Sequence, residues 1–237
     1  MATTAQNIID KARILLQDAG KARWSDAELL GWANDGQREV CIYKPDAYVK
    51  TETITTVSGT RQTLPADGRF LIDVIRNVYA GTPSNAVRPI DMRILNDQIP
   101  DWHATASSSL AQFFCPDPRN QKAFYVYPQS DGGADTKLEI VYAATPATIA
   151  LGDDLLIDEM YSGAVIDYVV YRAYSKDADY AADDSRAMVH YKAFIQSMMG
   201  SDAGEAANEA TPILRRANSG QVQAYGRQTN QRIGTSE

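Results

Sequence analysis

Histidine and cysteine are scarce in this chain, with two of each among 237 residues. Two histidines exclude a multi-histidine metal site. Cys41 and Cys115 lie far apart and match no C-x-x-C pattern, which suggests two free buried thiols in a reducing compartment. The chain also lacks the G-x-G-x-x-G and G-x-x-x-x-G-K-[ST] phosphate-binding loops and the G-x-S-x-G nucleophile motif. The sequence therefore carries no signal for a nucleotide-binding protein or a common hydrolase.

Long apolar runs and an excess of positive charge are also absent. No run approaches the ~18 apolar residues that would span a membrane, and the first ten residues lack the parts of a signal peptide. We therefore expect a soluble protein made in the cytoplasm with no membrane partner. The net charge of −7 argues against a nucleic-acid binder, and 44% hydrophobic residues are ordinary for a globular chain.

Few side chains remain as candidates for chemistry. Four acidic residues that could bind a divalent cation cluster before the last helical region: Asp153, Asp154, Asp158 and Glu159. Capping of the following helix explains them better. His103 lies in a loop-like stretch and His190 on a helix, and we interpret both as structural. We expect no catalytic residue, metal or cofactor.

The first region, residues 1–46, is predicted to form a helical hairpin. Thr3 and Gln6 have the spacing of a capping box. An apolar stripe at helical period follows: Ile8, Ala12, Leu15, Leu16 and Ala19. Gly20 is placed to end the first helix in a left-handed turn.

The second helix begins within RWSDAELLGWANDGQREV, residues 23–40. Ser25 suits the N-cap, and Glu28 completes a capping box three residues later. Trp24 before the cap can pack on Leu29 as a hydrophobic staple. The residues of this structural motif are Trp24, Ser25, Glu28, Leu29, Trp32, Asn34 and Asp35. The segment thus predicts a helix whose starting direction is firmly fixed.

We interpret both tryptophans of this segment as core residues. Five residues share one face of the helix: Leu29, Trp32, Ala33, Gly36 and Val40. Trp32→Ala is therefore expected to destabilise the fold by about 3–5 kcal/mol.

Residues 47–152 change in character, and we predict a small inserted antiparallel β-domain. Short runs rich in β-branched and aromatic residues alternate with turn signals such as SG, PADG and SDGG. In KAFYVYP, Phe124 and Val126 point to the face opposite the tyrosines beside them. The stretch near 90–99 is predicted as a short helix.

Residues 153–200 return to a helical pattern. The stretch from Met160 to Tyr174 is apolar almost all round, which is typical of a helix buried on more than one side. The last helix carries one apolar stripe: Tyr180, Ala187, Tyr191, Phe194, Ile195 and Met198. We predict that these helices pack on residues 3–45. The fold class is then α+β, an antiparallel helical bundle with an inserted β-domain.

Residues 201–237 are rich in Gly, Ala, Asn, Gln and Ser and cannot bury enough apolar surface to fold alone. Within 210–237 four arginines face a single acidic residue, Glu237. We predict an extended, flexible, basic C-terminal arm on an acidic body, which is typical of a docking segment.

The motifs together resemble one protein family. The W-x-D-x-E-L-L-x-W-x-N-D-G-Q-R-E pattern is followed in order by KPDAY, LPADGRFLIDVIRN, KAFYVYP and VIDYVVYRAYSKDADYA. In this order they resemble the head-to-tail adaptor proteins of tailed bacteriophages, including the tail tubular protein A type. The resemblance covers most of residues 8–198.

The resemblance implies a structural virion protein without enzymatic activity. Such adaptors form a ring, expected to be dodecameric, between the portal protein and the tail or nozzle protein. The ring surrounds the DNA exit channel without sequence-specific binding, and the C-terminal arm reaches the portal. The arm residues we consider candidates for portal docking are Ile213, Leu214, Arg215, Arg216, Tyr225, Arg227 and Arg232.

Two other functions stay open at this point. The chain could be another phage tail-completion or assembly protein, which would not need an arm that enters a portal. A remote alternative is a small hydrolase that uses His103 and the Thr/Ser cluster at 105–109. Binding to purified portal distinguishes an adaptor from another assembly protein. Assembly into a ring, instead of a monomer or dimer with catalytic turnover, distinguishes an adaptor from a hydrolase.

Overall fold

A computed structural model describes residues 3–176 and 181–199 of the chain. Over these ranges the fold is α+β, as the sequence predicts. The helices are α1 (Ala5–Leu16), α2 (Asp26–Tyr43), α3 (Met92–Gln98), α4 (Ser162–Lys176) and α5 (Ala181–Met199). The strands are β1 (Val49–Thr55), β2 (Gly59–Thr63), β3 (Gly68–Tyr79), β4 (Thr82–Ala86), β5 (Arg88–Pro89), β6 (Phe113–Pro116), β7 (Ala123–Ser130) and β8 (Thr136–Ala144). Within the described ranges, no helix is both long and apolar enough to cross a membrane.

Four helices share one hydrophobic core, although the strands separate them in sequence. Residues of α1, α2, α4 and α5 form a single buried cluster, which confirms the predicted packing of the first and last helical regions. Helix α4 contacts each of the other three, and its Val165, Val169 and Val170 are fully buried. This explains why its sequence is apolar almost all round.

The helix directions follow from individual contacts. Glu28 at the start of α2 pairs with Lys176 at the end of α4, and Gly36 of α2 faces Tyr168 of α4, so α2 and α4 are antiparallel. The Tyr168–Phe194 ring contact and the contact of Tyr171 with Tyr191 make α5 antiparallel to α4 as well. Helices α2 and α5 therefore end at the same side of the helical layer.

The strands form two four-stranded sheets with the orders β1-β8-β3-β4 and β2-β7-β6-β5. The pairs are antiparallel except for β5 and β6, which run parallel, so the predicted all-antiparallel domain needs that correction. Both sheets contribute to one core, in which Phe124 and Val126 of β7 pack with Ile140 of β8. Helix α3, expected from the sequence, contributes Leu95 to a smaller cluster with Trp102.

The predicted boundaries of α1 are wrong at both ends. Thr4, not Thr3, is the N-cap, and its side chain accepts a hydrogen bond from the Asn7 amide. The Thr3 hydroxyl lies before the helix and donates to Glu159 at 2.8 Å. The helix ends at Leu16, and Gln17 rather than Gly20 adopts the left-handed conformation. Tyr180, the first residue of the apolar stripe predicted for the last helix, lies outside the described residues.

The two tryptophans of the α2 segment differ in burial. Trp24 is 2% exposed and meets the Tyr174 ring edge-on. Trp32 packs against the helical core but is only partly buried. The expected 3–5 kcal/mol loss therefore belongs to Trp24 rather than to Trp32.

We predict that Trp24→Ala lowers the free energy of unfolding by about 3–5 kcal/mol, because it removes a buried aromatic ring. Trp32→Ala should lower it by roughly 1–2 kcal/mol, since less apolar area is lost. Urea unfolding of both variants measures the difference. Equal losses would contradict the assignment of the two rings.

Candidate functional site

The start of α2 carries the predicted capping box. The Ser25 hydroxyl accepts from the Glu28 amide at 3.3 Å, and the Glu28 carboxylate accepts from the Ser25 amide at 3.2 Å. Lys176 of α4 also donates to Glu28. The hydrogen bond from Lys176, followed by those from Ser25, holds the pKa of Glu28 below its usual value. The cap therefore joins the start of α2 to the end of α4.

A buried ion pair fixes the turn between α1 and α2. Arg13 and Asp18 are 4% and 5% exposed, and Arg13 Nη1 lies 3.0 Å from Asp18 Oδ2. The second terminal nitrogen of the guanidinium, Nη2, donates to the Trp24 carbonyl at 2.9 Å and to the Asp26 carboxylate at 2.7 Å. Asp26 also forms an ion pair with Lys21, whose Nζ lies 2.6 Å from Asp26 Oδ2. One arginine thus holds both sides of the turn.

The Asp18 carboxylate accepts hydrogen bonds from the backbone amides of that turn. It accepts from Ala22 at 2.8 Å, from Arg23 at 3.2 Å and from Trp24 at 3.2 Å. Burial raises the pKa of Asp18, but these three amides and Arg13 outweigh that effect, so the pKa is lowered. The chain has to leave α1 before Asp18 to make these bonds, which explains the left-handed Gln17.

Asn34 and Gln37 of α2 bind the chain where it returns from the first sheet, after β8. Asn34 Nδ2 donates to the Ile149 carbonyl at 3.2 Å, and the Ile149 amide donates to Asn34 Oδ1 at 2.9 Å. The amide of Leu156 donates to Gln37 Oε1 at 2.8 Å. Both α2 side chains are buried. The two hydrogen bonds between the Asn34 side chain and the Ile149 backbone fix the position of the segment that precedes α4.

The remaining positions of the motif have simpler roles. A Cβ on Gly36 would lie 3.2 Å from Tyr168 and 3.4 Å from Val165, so glycine allows α2 and α4 to approach closely. Asp35 is exposed and pairs with Arg38 at 3.2 Å. The motif is therefore a set of packing and hydrogen-bonding positions rather than a reaction centre.

The end of α2 is joined to the first sheet. Arg69 of β3 donates to the Cys41 carbonyl in the last turns of α2. Lys50 of β1 pairs with Asp67 at 2.5 Å, and Tyr142 of β8 also donates to Asp67 at 3.2 Å. The Lys50 hydrogen bond keeps the pKa of Asp67 low in spite of its partial burial. The Arg69–Cys41 hydrogen bond thus joins the first sheet to α2, and the Asp67 contacts hold β1 and β8 to the loop before β3.

The polar residues considered for chemistry have structural partners. His103 shares a 2.8 Å hydrogen bond with Thr60, and His190 shares one with Asp167. Asp158 accepts from the Met160 amide, which is the capping role expected of it. No group of three or more His, Cys, Asp or Glu that could hold a metal occurs within residues 3–176 and 181–199.

Burial governs the two cysteines. It raises the pKa of the Cys41 thiol to about 11 and that of Cys115 to about 12. Both thiols are free and buried, as the sequence suggests, and stay protonated near neutral pH.

The sequence reasoning missed Arg13, Asp18 and Gln37. The available signal was a charged or polar residue at an inward-facing helical position, such as Arg13 between Ala12 and Leu16. The arm residues considered for portal docking, Ile213 to Arg232, lie outside the described residues.

Comparison with known families gives a match over most of the chain. A family model described as SU10 adaptor protein matches residues 3–219. The matched range includes both sheets, all five helices and the residues that fix α2. No match was found among curated proteins.

Asn34→Ala is predicted to lower the free energy of unfolding by about 1–3 kcal/mol, because the buried Ile149 backbone groups lose their partner. Asp35→Ala, at the neighbouring exposed position, should change it by less than about 0.5 kcal/mol. Chemical denaturation of the two variants provides the comparison. If both variants lowered the free energy of unfolding by a similarly small amount, Asn34 would not hold the returning chain.

Asp18→Asn is predicted to lower the free energy of unfolding at neutral pH by about 1–3 kcal/mol, because buried Arg13 loses one of its two carboxylate partners and the three backbone amides lose a charged acceptor. The folded-state pKa of Asp18 is depressed, so the stabilisation is fully present above about pH 4. It is lost as the pH falls through the folded-state pKa.

The difference between wild type and Asp18→Asn should therefore shrink below about pH 4. Unfolding curves at several pH values measure it. Asp10→Asn is a matched control, since Asp10 is exposed on the same helix and bonds only the Gln6 side chain. A pH-independent difference would argue against the ion pair.

Proposed function

Because the chain belongs to the SU10 adaptor protein family, a family of phage head-to-tail adaptors, we propose that it forms the ring that joins the portal to the tail. The family membership confirms the resemblance noted in the sequence. The family is a structural one rather than an enzyme family, and its adaptors are virion components that contact portal and tail proteins. The family match is the observation that carries this proposal.

The arrangement around α2 supports assembly into a ring. A small angular error in each subunit adds up around a closed ring and prevents closure. The buried Arg13–Asp18 pair and the Asn34–Ile149 pairing leave α2 little freedom to change direction. A subunit of this kind can repeat the same contact about twelve times, which is the dodecamer that we propose.

We further propose the organisation of the subunit within that ring. Residues 1–46 and 153–200 form a helical bundle, and residues 47–152 form an inserted β-domain that faces the tail or nozzle. The subunits enclose the DNA exit channel. A net charge of −7 suits this role, since DNA that must slide should not be held through its phosphates.

The C-terminal arm, residues 201–237, is proposed as the portal-docking segment. Its arginines can form bidentate hydrogen bonds with carboxylates of a partner. Ile213 and Leu214, beside Arg215 and Arg216, provide the first apolar anchor, and Tyr225 provides the second. Arg227 and Arg232 extend the basic character of the arm.

Electron microscopy of the protein mixed with its portal tests the proposed function. We expect a ring of added density on the tail-facing side of the portal. A portal that stays bare at saturating concentrations of the protein would contradict an adaptor role.

Deletion of residues 205–237 should abolish attachment to the portal and leave the melting temperature of the free protein nearly unchanged. The physical reason is that the arm composition cannot support a core of its own. Thermal unfolding and co-sedimentation with portal measure the two effects. The proposal for the arm fails if the truncated protein unfolds, or if it joins the portal with full affinity.

A further inference from the structure

The outer edge of β1 is a regular strand edge without a partner in the described part of the chain. β1 lies at the end of the first sheet and pairs only with β8. Its seven residues pair in unbroken register, from Val49 opposite Ala143 to Thr55 opposite Lys137. Such an edge presents a row of unpaired backbone donors and acceptors.

The backbone groups that point away from β8 can be identified. Hydrogen bonds from the Ala144 amide to Tyr48 and from the Thr56 amide to Thr136 mark the even-numbered positions as those bonded to β8. In an antiparallel ladder the alternate positions point outward. These are Val49, Thr51, Thr53 and Thr55, and all four are exposed.

The other three sheet edges carry features that discourage pairing. Strand β2 has a register shift between Gly59 and Arg61. Strand β4 has a shift in its pairing with β3 and contains Pro83. Strand β5 has two residues, and one of them is Pro89. Bulges, prolines and short length are the usual protection of edges, and β1 has none of them.

The chain leaves the described part close to where β1 begins. Helices α2 and α5 end on the same side of the helical layer, and the rings of Tyr43 and Phe194 are 6.0 Å apart. β1 starts six residues after Tyr43, and α5 ends at Met199. Met199, which 38 further residues follow in the sequence, thus lies on the side of the layer where β1 starts.

One stretch of the arm has the sequence pattern of a short strand. Residues 221–225 read Gln-Val-Gln-Ala-Tyr between Gly220 and Gly226, and a glycine-bounded run that alternates in this way is typical of a strand. It contains no proline and no charge. The 22 residues from Met199 to this stretch can extend over about 70 Å, which is enough to reach an adjacent subunit.

We propose that, in the ring, residues 221–225 of one subunit add as a strand to the outer edge of β1 of its neighbour. This inference rests on the proposed function. The outward amides and carbonyls of β1 pair with the backbone of the added strand, as in other strand-addition interfaces. The side chains at the outward positions of β1, which include Thr51, Thr53 and Thr55, are uncharged. The arm segment is uncharged as well, so these positions bring no like charges together.

The neighbouring subunit is the occupant that a ring requires. Pairing of β1 with the β1 edge of a second copy forms a closed twofold contact and ends assembly at a dimer. A strand passed to the next subunit repeats the same contact around the ring. In this arrangement Tyr225 binds the neighbouring subunit instead of the portal, and the segment near Ile213 to Arg216, which precedes the added strand, remains available to the portal.

Disulfide crosslinking between two different chains tests this inference. Thr53→Cys and Val222→Cys are made in separate, differently tagged chains, which are mixed, assembled on portal and oxidised. We expect a crosslinked dimer that contains one chain of each kind. Thr82→Cys on the exposed β4 edge, mixed with Val222→Cys, is the matched control and should give little crosslinking. The native cysteines are buried and give the background.

The outcomes separate this inference from the proposed function. Rings that form with no more crosslink than the Thr82→Cys control overturn the strand addition and leave the adaptor role standing. A chain carrying both Thr53→Cys and Val222→Cys that crosslinks only within itself overturns the choice of the neighbouring subunit. A wild-type protein that adds no ring to portal contradicts the proposed function itself.

Discussion

The buried ion pair between Arg13 and Asp18 is the constraint on which the rest of the subunit depends. Removal of two charges from water is unfavourable unless each finds several partners, and here Asp18 also accepts three backbone amides. Those amides belong to the turn that starts α2, so they can be satisfied only when α2 leaves α1 in one direction. Because any other direction of α2 would leave these buried charges without their partners, the ion pair fixes the angle between the two helices.

Helix α2 passes that fixed direction to the other parts of the subunit. Its first turn is capped by its own Glu28 and tied to α4 through Lys176. Its middle binds the returning chain through Asn34, and its end is joined to the first sheet through Arg69. One helix therefore orients the helical core, the connection to α4 and the strands, which is the property a repeated ring subunit needs.

Local signals in the sequence predicted the elements, and their apolar faces predicted that the first and last helical regions pack together, whereas individual long-range polar contacts could not be predicted. The Ser25–Glu28 box depends on residues three apart, so its spacing is visible in the sequence. The pairing of Asn34 with Ile149 joins positions 115 residues apart, and no local pattern encodes it. Thr4 is the N-cap, and the Thr3 hydroxyl instead donates to Glu159, which is 156 residues away in sequence. The arm residues predicted to dock on the portal lie outside the described residues.

Native-state hydrogen exchange of the free protein measures whether polar contacts fix α2 and the chain that returns to it. We expect the amides of Ala22, Trp24 and Ile149 to exchange as slowly as those in the middle of α4, because each is held by a buried side chain and opens only with the fold. Rapid exchange of these three amides, while α4 stays protected, would contradict it.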